Sequence, residues 1–500
     1  MTMPIRARHV ITVSLLLVEA LGLIWWFPYL PMTDLPEHML AAQVLTHYDA
    51  PEMEYPLFLS KRFPWNPYSS YFLFSLALGS FLSVANATRL YLSIGIVLTI
   101  ASVWCWIQAQ APGRDAQVIP ATLLLYGYFF YLGLINFLFS IPFFFFSVAL
   151  SWRLLHRDDK RWSTTVLLAL CLLLTYLSHI VTYALCGLVV IAQYLFFRPR
   201  KLHSMILPFV PSILLLLVYS ITDGRHAVTT MTISWDPLLE RAGTLLLPFN
   251  IFHDSFAGRW VYDSAALIVW VFVAIIMTGG WLYRRYSAQK TRPPFAAWVT
   301  LAVVVVSTLL LPSNVSGGLG VALRASYFTA FALITLLPAD WDRHSGLRLL
   351  MILACAAWPA VLATRLMAFT SDMRDLERAI SHIPPRQVIQ PIITDPHSQG
   401  LPTYPFQHAA AWYSYYKGGI SPYLFASWAD HFPVRVRRQV LPNAPGEWQM
   451  QHFDYEANEA GTDYFLVRTH DARILADLNE HVPLTVEVGN WRVFGPNKHP

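Results

Sequence analysis

Twelve apolar runs dominate the first 366 of the 500 residues, and each is about as long as a helix that crosses a bilayer. Such a helix needs about 20 mostly apolar residues. Only 13% of the residues are charged and 55% are hydrophobic, whereas ordinary soluble domains carry roughly 25% charged residues. This composition excludes a soluble enzyme, a disordered chain and a fibrous repeat, and it predicts an α-helical polytopic membrane protein. The runs cover 9–28, 68–85, 88–109, 117–134, 136–155, 162–178, 180–197, 203–221, 263–283, 295–312, 319–338 and 347–366.

The distribution of Lys and Arg predicts how these runs are oriented, because cytoplasmic loops carry an excess of basic residues. The basic clusters at 6–8 and 153–161 lie on the same side of the membrane only if one of the apolar runs between them does not cross it. The run 68–85 follows a Pro-rich stretch and contains Ser and Gly, so we interpret it as a juxtamembrane helix in the outer interface. This gives eleven spans with a cytoplasmic N-terminus; the alternative is that 68–85 crosses and a short pair such as 162–197 is miscounted. The clusters lie at 6–8, 153–161, 198–201, 284–292 and 343–348.

Residues 367–500 differ in composition and predict a small α/β extracytoplasmic domain, which follows a transmembrane body of residues 1–366. All four cysteines lie in apolar runs, which excludes a disulfide framework and a Cys-based zinc site in this domain. The segments QVIQPIITD, TDYFLVR and LTVEVGNWRVFG are typical of strands, with a turn at Gly489–Asn490, and HAAAWYSYYKGG and ARILADLNEH are typical of helices. No basic run of the nucleic-acid-binding type is present.

The densest group of candidate catalytic residues follows the first apolar run, in PMTDLPEH, where Asp34, Glu37 and His38 occur within five residues. An Asp at a helix start lies near the positive end of the helix dipole, stays ionised at neutral pH and can accept a proton from an acceptor hydroxyl. A structural alternative is a capping box, with Asp34 as N-cap and Glu37 at N3 of an amphipathic helix, LPEHMLAAQVLTHY. The two interpretations are compatible, because a capping Asp can also act as a base.

Candidate ligands for a phosphate or a sugar lie near the same face. Arg324 lies a few residues into the run 319–338, where a guanidinium is costly unless it is paired, reaches the surface or binds an anion. Its geometry suits phosphate. His179 lies at a turn between two runs, and Arg259 lies in an aromatic-rich loop, 222–262, that looks like an interfacial flap. Each also has a structural interpretation, namely a snorkelling or paired Arg, a capped turn histidine and a solvated loop residue.

The layout of the chain resembles that of the GT-C superfamily of membrane glycosyltransferases, which includes protein O-mannosyltransferases, aminoarabinose transferases and oligosaccharyltransferase catalytic subunits. The resemblance rests on an acidic first outer loop, TDLPEH, on the Pro- and aromatic-rich PWNPYSSYFLFSLALGSF, on ATRLYLSIGIVLTIASVW and on YLGLINFLFSIPFFFFSVALSWRLLHR. Two family signatures are absent. Leu35 and Pro36 separate Asp34 from Glu37, so the paired Asp-Glu of the mannosyltransferase branch is missing, and so is the WWD-type signature of oligosaccharyltransferases.

The resemblance implies a GT-C-like fold of about eleven spans with outer juxtamembrane helices, and a polyprenyl-phosphate-linked sugar donor used in an inverting displacement. It makes Asp34 the catalytic carboxylate, with Glu37 as the alternative. The best-placed basic residue for the lipid phosphate is Arg324, and His38, His179 and Arg259 complete the predicted substrate-binding set. A hexose or pentose would pass to an envelope glycan, lipid or protein at the outer face of a bacterial inner (plasma) membrane. No metal ligand is assigned, and dependence on a divalent metal is left open.

Two other classes of function stay in competition with this hypothesis. One is a transporter or flippase of a lipid-linked or anionic solute, which would favour internal repeats and interrupted helices in matching halves; the sequence has no such repeat. The other is a non-catalytic envelope assembly protein, which needs no accessible Asp34. The convergence of Asp34, His179 and Arg324 on one outward cavity at membrane level would favour the glycosyltransferase.

Overall fold

A computed structural model of the chain describes residues 5–62, 66–156, 161–197, 206–222, 232–245, 295–315, 318–337, 345–429, 431–437 and 442–497. The apolar run 263–283 and the candidate ligand Arg259 lie outside these residues. The α-helices in the described ranges are α1 (Ile5–Trp26), α2 (Leu35–Thr46), α3 (Tyr55–Phe58), α4 (Ser70–Leu78), α5 (Val84–Gln110), α6 (Tyr128–Leu132), α7 (Ile135–His156), α8 (Arg161–Ser178), α9 (Ile180–Phe197), α10 (Val210–Thr222), α11 (Leu238–Thr244), α12 (Phe295–Leu310), α13 (Val321–Thr335), α14 (Ser345–Ser381), α15 (Ala410–Lys417), α16 (Phe425–Trp428), α17 (Tyr455–Asn458) and α18 (Ala472–His481).

Within the described residues, five helices are long and apolar enough to cross a membrane: α1, α5, α7, α9 and α14. The helices α8, α10, α12 and α13 are apolar but shorter. The chain is therefore an integral membrane protein, as the apolar runs predicted. The count of eleven spans stays a prediction.

The helices α5 and α7 pack against each other. The Tyr91 ring stacks on the Phe139 ring with 4.0 Å between centroids. A Cβ at Gly95 would lie 3.3 Å from the Phe139 ring, so glycine allows this close contact. Further along the pair, Phe145 packs against Phe331 of α13 at 5.5 Å. Large buried aromatic side chains of this kind contribute much of the apolar surface that a core removes from water.

Two of the apolar runs do not form a single long helix. The run 68–85 forms α4, which has nine residues and rises about 14 Å, less than half of the ~30 Å hydrocarbon core. Its length therefore agrees with a helix that does not cross. The apolar run 117–134 predicts a span, but these residues form a 3-10 helix, Asp115–Leu124, followed by the short α6. Pro120 inside the 3-10 helix has no N–H to donate, which opposes a regular α-helix at this point.

The C-terminal segment contains a four-stranded sheet of β5 (Ile389–Ile393), β7 (Tyr464–Arg468), β9 (Trp491–Phe494) and β8 (Leu484–Val488), in that order. Of the neighbouring pairs, only β5 and β7 are parallel. The predicted boundary after residue 366 falls inside α14, which continues to Ser381. A separate small core forms between α18 and the sheet, around Phe465 and Leu478. The turn between β8 and β9 contains Gly489, whose φ of +57° suits glycine. The strands are β1 (Leu59–Lys61), β2 (Ile233–Ser234), β3 (Asn314–Val315), β4 (Gly318–Leu319), β5 (Ile389–Ile393), β6 (Val434–Val436), β7 (Tyr464–Arg468), β8 (Leu484–Val488) and β9 (Trp491–Phe494).

The loop after α1 and the C-terminal segment are packed together. β1 of the loop pairs antiparallel with β6 of the C-terminal segment. The Tyr55 hydroxyl donates to Ser414 O at 3.2 Å, and Asn66 Nδ2 donates to His431 O at 2.6 Å. The residues that follow α1 therefore lie between the apolar helices and the C-terminal segment.

Candidate active site

Backbone hydrogen bonds hold Asp34 against the turn between α6 and α7. Thr33 N donates to Tyr131 O at 2.9 Å, and Asp34 N donates to Leu132 O at 3.0 Å. Gly133 in this turn has a φ of +80°, and a Cβ there would lie 2.7 Å from Asp34 N. The close approach of the two backbones therefore requires glycine.

The helix α2 begins at Leu35, with Asp34 at its N-cap position, as the pattern predicted. The capping-box alternative is nevertheless wrong in its hydrogen bonds. The Asp34 side chain makes no capping bond, and Glu37 Oε2 accepts from Phe425 N at 2.9 Å instead of from Asp34 N. The expectation of an amphipathic helix is also wrong, because α15, β6 and neighbouring helices cover α2 and bury ten of its 12 residues.

His408 of the C-terminal segment reaches the Asp34 carboxylate, and Glu447 of the same segment contacts His408. His408 Nε2 lies 3.6 Å from Asp34 Oδ1, and His408 Nδ1 lies 2.9 Å from Glu447 Oε1. The His408 side chain is buried, whereas the Asp34 side chain is 21% exposed. An imidazole is thus placed between a carboxylate of the first loop and a carboxylate of the C-terminal segment.

Burial and charge separate the pKa values of these groups. Burial raises the pKa of Asp34 to about 6, against the opposing effects of His408 and Arg324. Burial also raises the pKa of Glu37 to about 8. Burial by itself lowers the pKa of His408, but the carboxylates of Glu447, Asp34 and Glu37 raise it to about 9. At neutral pH, Asp34 is therefore ionised, Glu37 is protonated and His408 is an imidazolium.

Arg324 lies in the first turn of α13, where its backbone N donates to Gly320 O at 2.9 Å. Its side chain is buried. The guanidinium charge lowers the pKa of Asp34, of the Tyr68 hydroxyl and of His179. Arg324 is therefore within electrostatic reach of all three groups.

His179 is fully buried in the turn between α8 and α9. Burial, together with the Arg324 charge, holds its pKa well below the ordinary value, so the imidazole is neutral. Its Nδ1 accepts from Thr182 N at 3.5 Å, which is the capping role of the structural alternative, and its Nε2 lies 2.8 Å from the Tyr68 hydroxyl. With Nδ1 as acceptor, Nε2 carries the hydrogen and donates to Tyr68 Oη. The Tyr68 O–H can then donate to a further acceptor.

His38 of α2 is surrounded by aromatic rings. Its ring lies 5.6 to 6.4 Å, between centroids, from the rings of Phe72, Phe425 and Phe432. Burial lowers its pKa to about 3, so it is neutral. Its Nδ1 has no hydrogen-bond partner among the described residues.

The structure thus brings the predicted residues Asp34, Glu37, His38, His179 and Arg324 into one region. Sequence reasoning missed several neighbours that complete it. These residues belong to the Pro-rich stretch before α4 and to the C-terminal segment, where no local pattern distinguishes them from other polar residues. The missed residues are Tyr68, His408, His431 and Glu447.

In the part of the chain that the structure describes, no group of three or more His, Cys, Asp or Glu has an arrangement that could hold a metal ion.

Solved structures of ArnT from Cupriavidus metallidurans resemble the whole chain. The ArnT structure bound to undecaprenyl phosphate matches with a TM-score of 0.55 at 10% sequence identity, over 98% of this chain and 98% of ArnT. This chain has the GT-C fold. The apo ArnT structure gives a TM-score of 0.51 at 10% identity, over 97% of each chain.

The GT-C-like fold that the resemblance implied is therefore confirmed. The arabinofuranosyltransferase AftD from Mycobacteria matches with a TM-score of 0.41 and 13% identity, over 100% of this chain and 40% of AftD. No family model and no curated protein matches the sequence. Because the similarity is one of fold, the chemistry of this chain must be argued from the side chains described above.

Proposed function

We propose that this chain is a glycosyltransferase that moves a sugar from a polyprenyl-phosphate-linked donor to an acceptor at the outer face of the membrane. The GT-C fold supports sugar transfer, and the undecaprenyl phosphate bound to ArnT supports the donor class. The observation that carries the proposal is the cluster in which ionised Asp34 lies within electrostatic reach of Arg324, beside Tyr68 and His179. Transfer from a lipid phosphate needs both a base and a cationic partner for the leaving group.

Asp34 is the base in this proposal. A pKa of about 6 leaves it ionised at neutral pH and near the working pH, which is the condition under which a general base is most effective. Its side chain is 21% exposed, so an acceptor hydroxyl can reach it. Glu37 is only 2% exposed and, with a pKa of about 8, it is protonated. A protonated carboxyl cannot accept the proton, so Glu37 instead holds the C-terminal segment through Phe425 N.

Arg324 and Tyr68 bind the donor phosphate. A guanidinium offers several N–H donors in an arrangement that suits phosphate oxygens. The Tyr68 O–H, oriented by His179, adds a neutral donor. Burial raises the pKa of Tyr68, so it keeps its hydrogen at neutral pH. Fixed donors of this kind stabilise the charge that develops on a leaving phosphate.

The reaction is a single displacement with inversion at the anomeric carbon. Asp34 accepts the proton of the acceptor hydroxyl while the hydroxyl oxygen forms a bond to the anomeric carbon. The bond from that carbon to the phosphate oxygen breaks, and its electron pair leaves with the polyprenyl phosphate. The Arg324 guanidinium balances the new negative charge, and Asp34 later releases its proton to water.

The proposed orientation places this chemistry at the outer face of a bacterial inner membrane. The basic segments near the ends of α7 and α9 lie on the cytoplasmic side under the positive-inside rule, and so does the N-terminus. The loop after α1 and the C-terminal segment then lie outside, and the pairing of β1 with β6 supports their placement on one side. The sugar is a hexose or a pentose, and the acceptor is an envelope glycan, lipid or protein.

Substitution of Asp34 tests the proposal in membranes supplied with polyprenyl-phosphate sugars. Asp34→Asn preserves the shape of the side chain but removes the base, so we expect transfer to fall by about 100- to 10,000-fold. Asp49→Asn is the matched control, because it makes the same change in the same loop at an exposed side chain. Near-wild-type transfer by Asp34→Asn would contradict the assignment of the base.

Arg324→Gln tests the phosphate partner in the same assay. We expect transfer to fall by about 100- to 1,000-fold, whereas Arg378→Gln, at an exposed arginine, should leave it unchanged.

Measurement of donor movement across sealed vesicles separates a glycosyltransferase from a transporter. A wild-type chain that moves the donor across the bilayer and transfers no sugar would be a transporter.

A further inference from the structure

Asp34 is paired with a histidine from a distant part of the chain. His408 precedes α15, and Glu447 begins the 3-10 helix Glu447–His452. His408 Nδ1 donates to Glu447 Oε1 at 2.9 Å, which directs the opposite ring nitrogen, Nε2, toward Asp34 Oδ1 at 3.6 Å. The Phe425 ring packs edge-on against the imidazole, with 4.9 Å between centroids, and restricts its rotation.

We propose that His408, held by Glu447, is a positioning residue whose imidazolium keeps Asp34 ionised at physiological pH and turned toward the acceptor hydroxyl. This inference rests on the proposed function, because it concerns the residue assigned as the base. His408 forms no bond to the substrate in this scheme, and the proton that leaves the acceptor goes to Asp34.

The distance between His408 and Asp34 suits this role. At 3.6 Å the contact is an ion pair and is too long for a hydrogen bond. The positive charge therefore stabilises the carboxylate without a donor occupying its oxygens, and these remain available to the acceptor hydroxyl. An opposite charge at about this distance lowers a carboxyl pKa by roughly 1–3 units. Without it, burial would leave Asp34 largely protonated near neutral pH.

Charged and titratable groups from several elements face this pair. Arg324 provides a second positive charge to Asp34, so loss of His408 weakens the stabilisation and does not abolish it. Glu447 raises the pKa of Asp34, because its negative charge disfavours a second carboxylate nearby. The groups that face the pair are Glu37 and His38 of α2, Tyr68 of the loop before α4, Arg324 of α13, and Glu447.

A purely structural role for His408 makes a different prediction from a charge-based role. The ring packs on Phe425, so its removal could loosen the site and lower the rate by one factor at every pH. Loss of the imidazolium instead raises the pKa of Asp34, which moves the acid limb of the pH–rate profile. The profile of kcat/KM against pH therefore separates the two roles.

The test uses the full-length protein in lipid nanodiscs with a polyprenyl-phosphate sugar and its acceptor. For His408→Gln, we expect the acid limb to move to higher pH by about 1–3 units, with activity recovering above that pH. His408→Arg keeps a positive charge, so its acid limb should stay near that of the wild type. His470→Gln, at an exposed histidine, is the matched control and should leave the profile unchanged.

The double variant H408Q/E447Q gives a second signature. In His408→Gln alone, Glu447 acts on Asp34 without the intervening imidazolium, so its negative charge raises the pKa of Asp34. Removal of the Glu447 charge in the double variant should move the acid limb part of the way back toward the wild-type position. If His408→Gln does not fold, the comparison of the double variant with His408→Arg still applies, because only the latter keeps the charge and the wild-type limb.

An acid limb that stays at the wild-type pH in His408→Gln and in the double variant, with the rate lowered equally at all pH values, overturns the positioning role. So does a His408→Arg limb that moves as far as that of His408→Gln. A wild-type protein that transfers no sugar at any pH overturns the proposed function instead. The two failures are thus distinguishable.

Discussion

Asp34 and Glu37 are close in sequence but differ in surroundings, and the same kind of substitution should therefore affect them differently. Glu37 is protonated at neutral pH, since its pKa is raised to about 8, and its oxygen accepts from Phe425 N. Gln at this position is also neutral and also offers an oxygen. We expect Glu37→Gln to transfer sugar at close to the wild-type rate in the membrane assay that inactivates Asp34→Asn. A severe loss in Glu37→Gln combined with an active Asp34→Asn would reverse the assignment of the base.

The burial of Asp34 also predicts the pH dependence of the wild-type protein. The ionised form is the base, and burial raises its pKa to about 6, so activity should be present above this pH and be lost as the pH falls through it. A solvated Asp, with a pKa of about 3.9, would remain active to a much lower pH. Values of kcat/KM between about pH 4.5 and 8, with recovery checked after return to neutral pH, measure this limb. Full activity near pH 4.5 would exclude Asp34 as the titrating base.

At the scale of elements, the turn between α6 and α7 positions Asp34, and Gly133 is the residue on which it depends. Its φ of +80° and the 2.7 Å that would separate a Cβ from Asp34 N leave no room for a side chain. We expect Gly133→Ala to lower the free energy of unfolding by about 1–3 kcal/mol, and to reduce transfer by displacing Asp34. Thermal unfolding in detergent and the transfer assay measure both effects. Gly346→Ala in α14, where a Cβ meets nothing within 4 Å, is the control and should lower neither the stability nor the transfer rate.

Local patterns predicted some elements well and others poorly, for physical reasons. The helix α18 has the expected range because Asp471 caps it by accepting from Arg473 N, a signal contained in adjacent residues. The run 117–134 was not a single helix, because hydrophobicity reports burial and does not distinguish an α-helix from a buried 3-10 helix that contains Pro120. The change in composition at residue 367 did not mark the end of α14, since backbone hydrogen bonds sustain a helix in lipid and in water alike.

At the scale of the whole molecule, the candidate site is assembled from segments that are far apart in sequence. Asp34 and Arg324 could be selected from the sequence because a charge next to apolar runs is costly and therefore conspicuous. His408 and Glu447 could not be selected from the sequence, because the C-terminal segment is rich in polar residues. Only the packing of this segment on α2 decides which of its residues come close to Asp34.

The same assembly requires that the loop after α1 and the C-terminal segment lie on one side of the membrane. Ser60 of β1 is opposite Arg435 of β6, so Ser60→Cys and Arg435→Cys report on the two segments where they meet. We expect a membrane-impermeant maleimide to label both variants in intact cells, because the proposed topology places them outside. Trp162→Cys, at an exposed position beside the basic segment that precedes α8, should be labelled only after the membrane is permeabilised. The wild-type chain, with its four cysteines in apolar helices, gives the background. Labelling of Trp162→Cys in intact cells, with Ser60→Cys and Arg435→Cys protected until permeabilisation, would invert the topology and place sugar transfer on the cytoplasmic face.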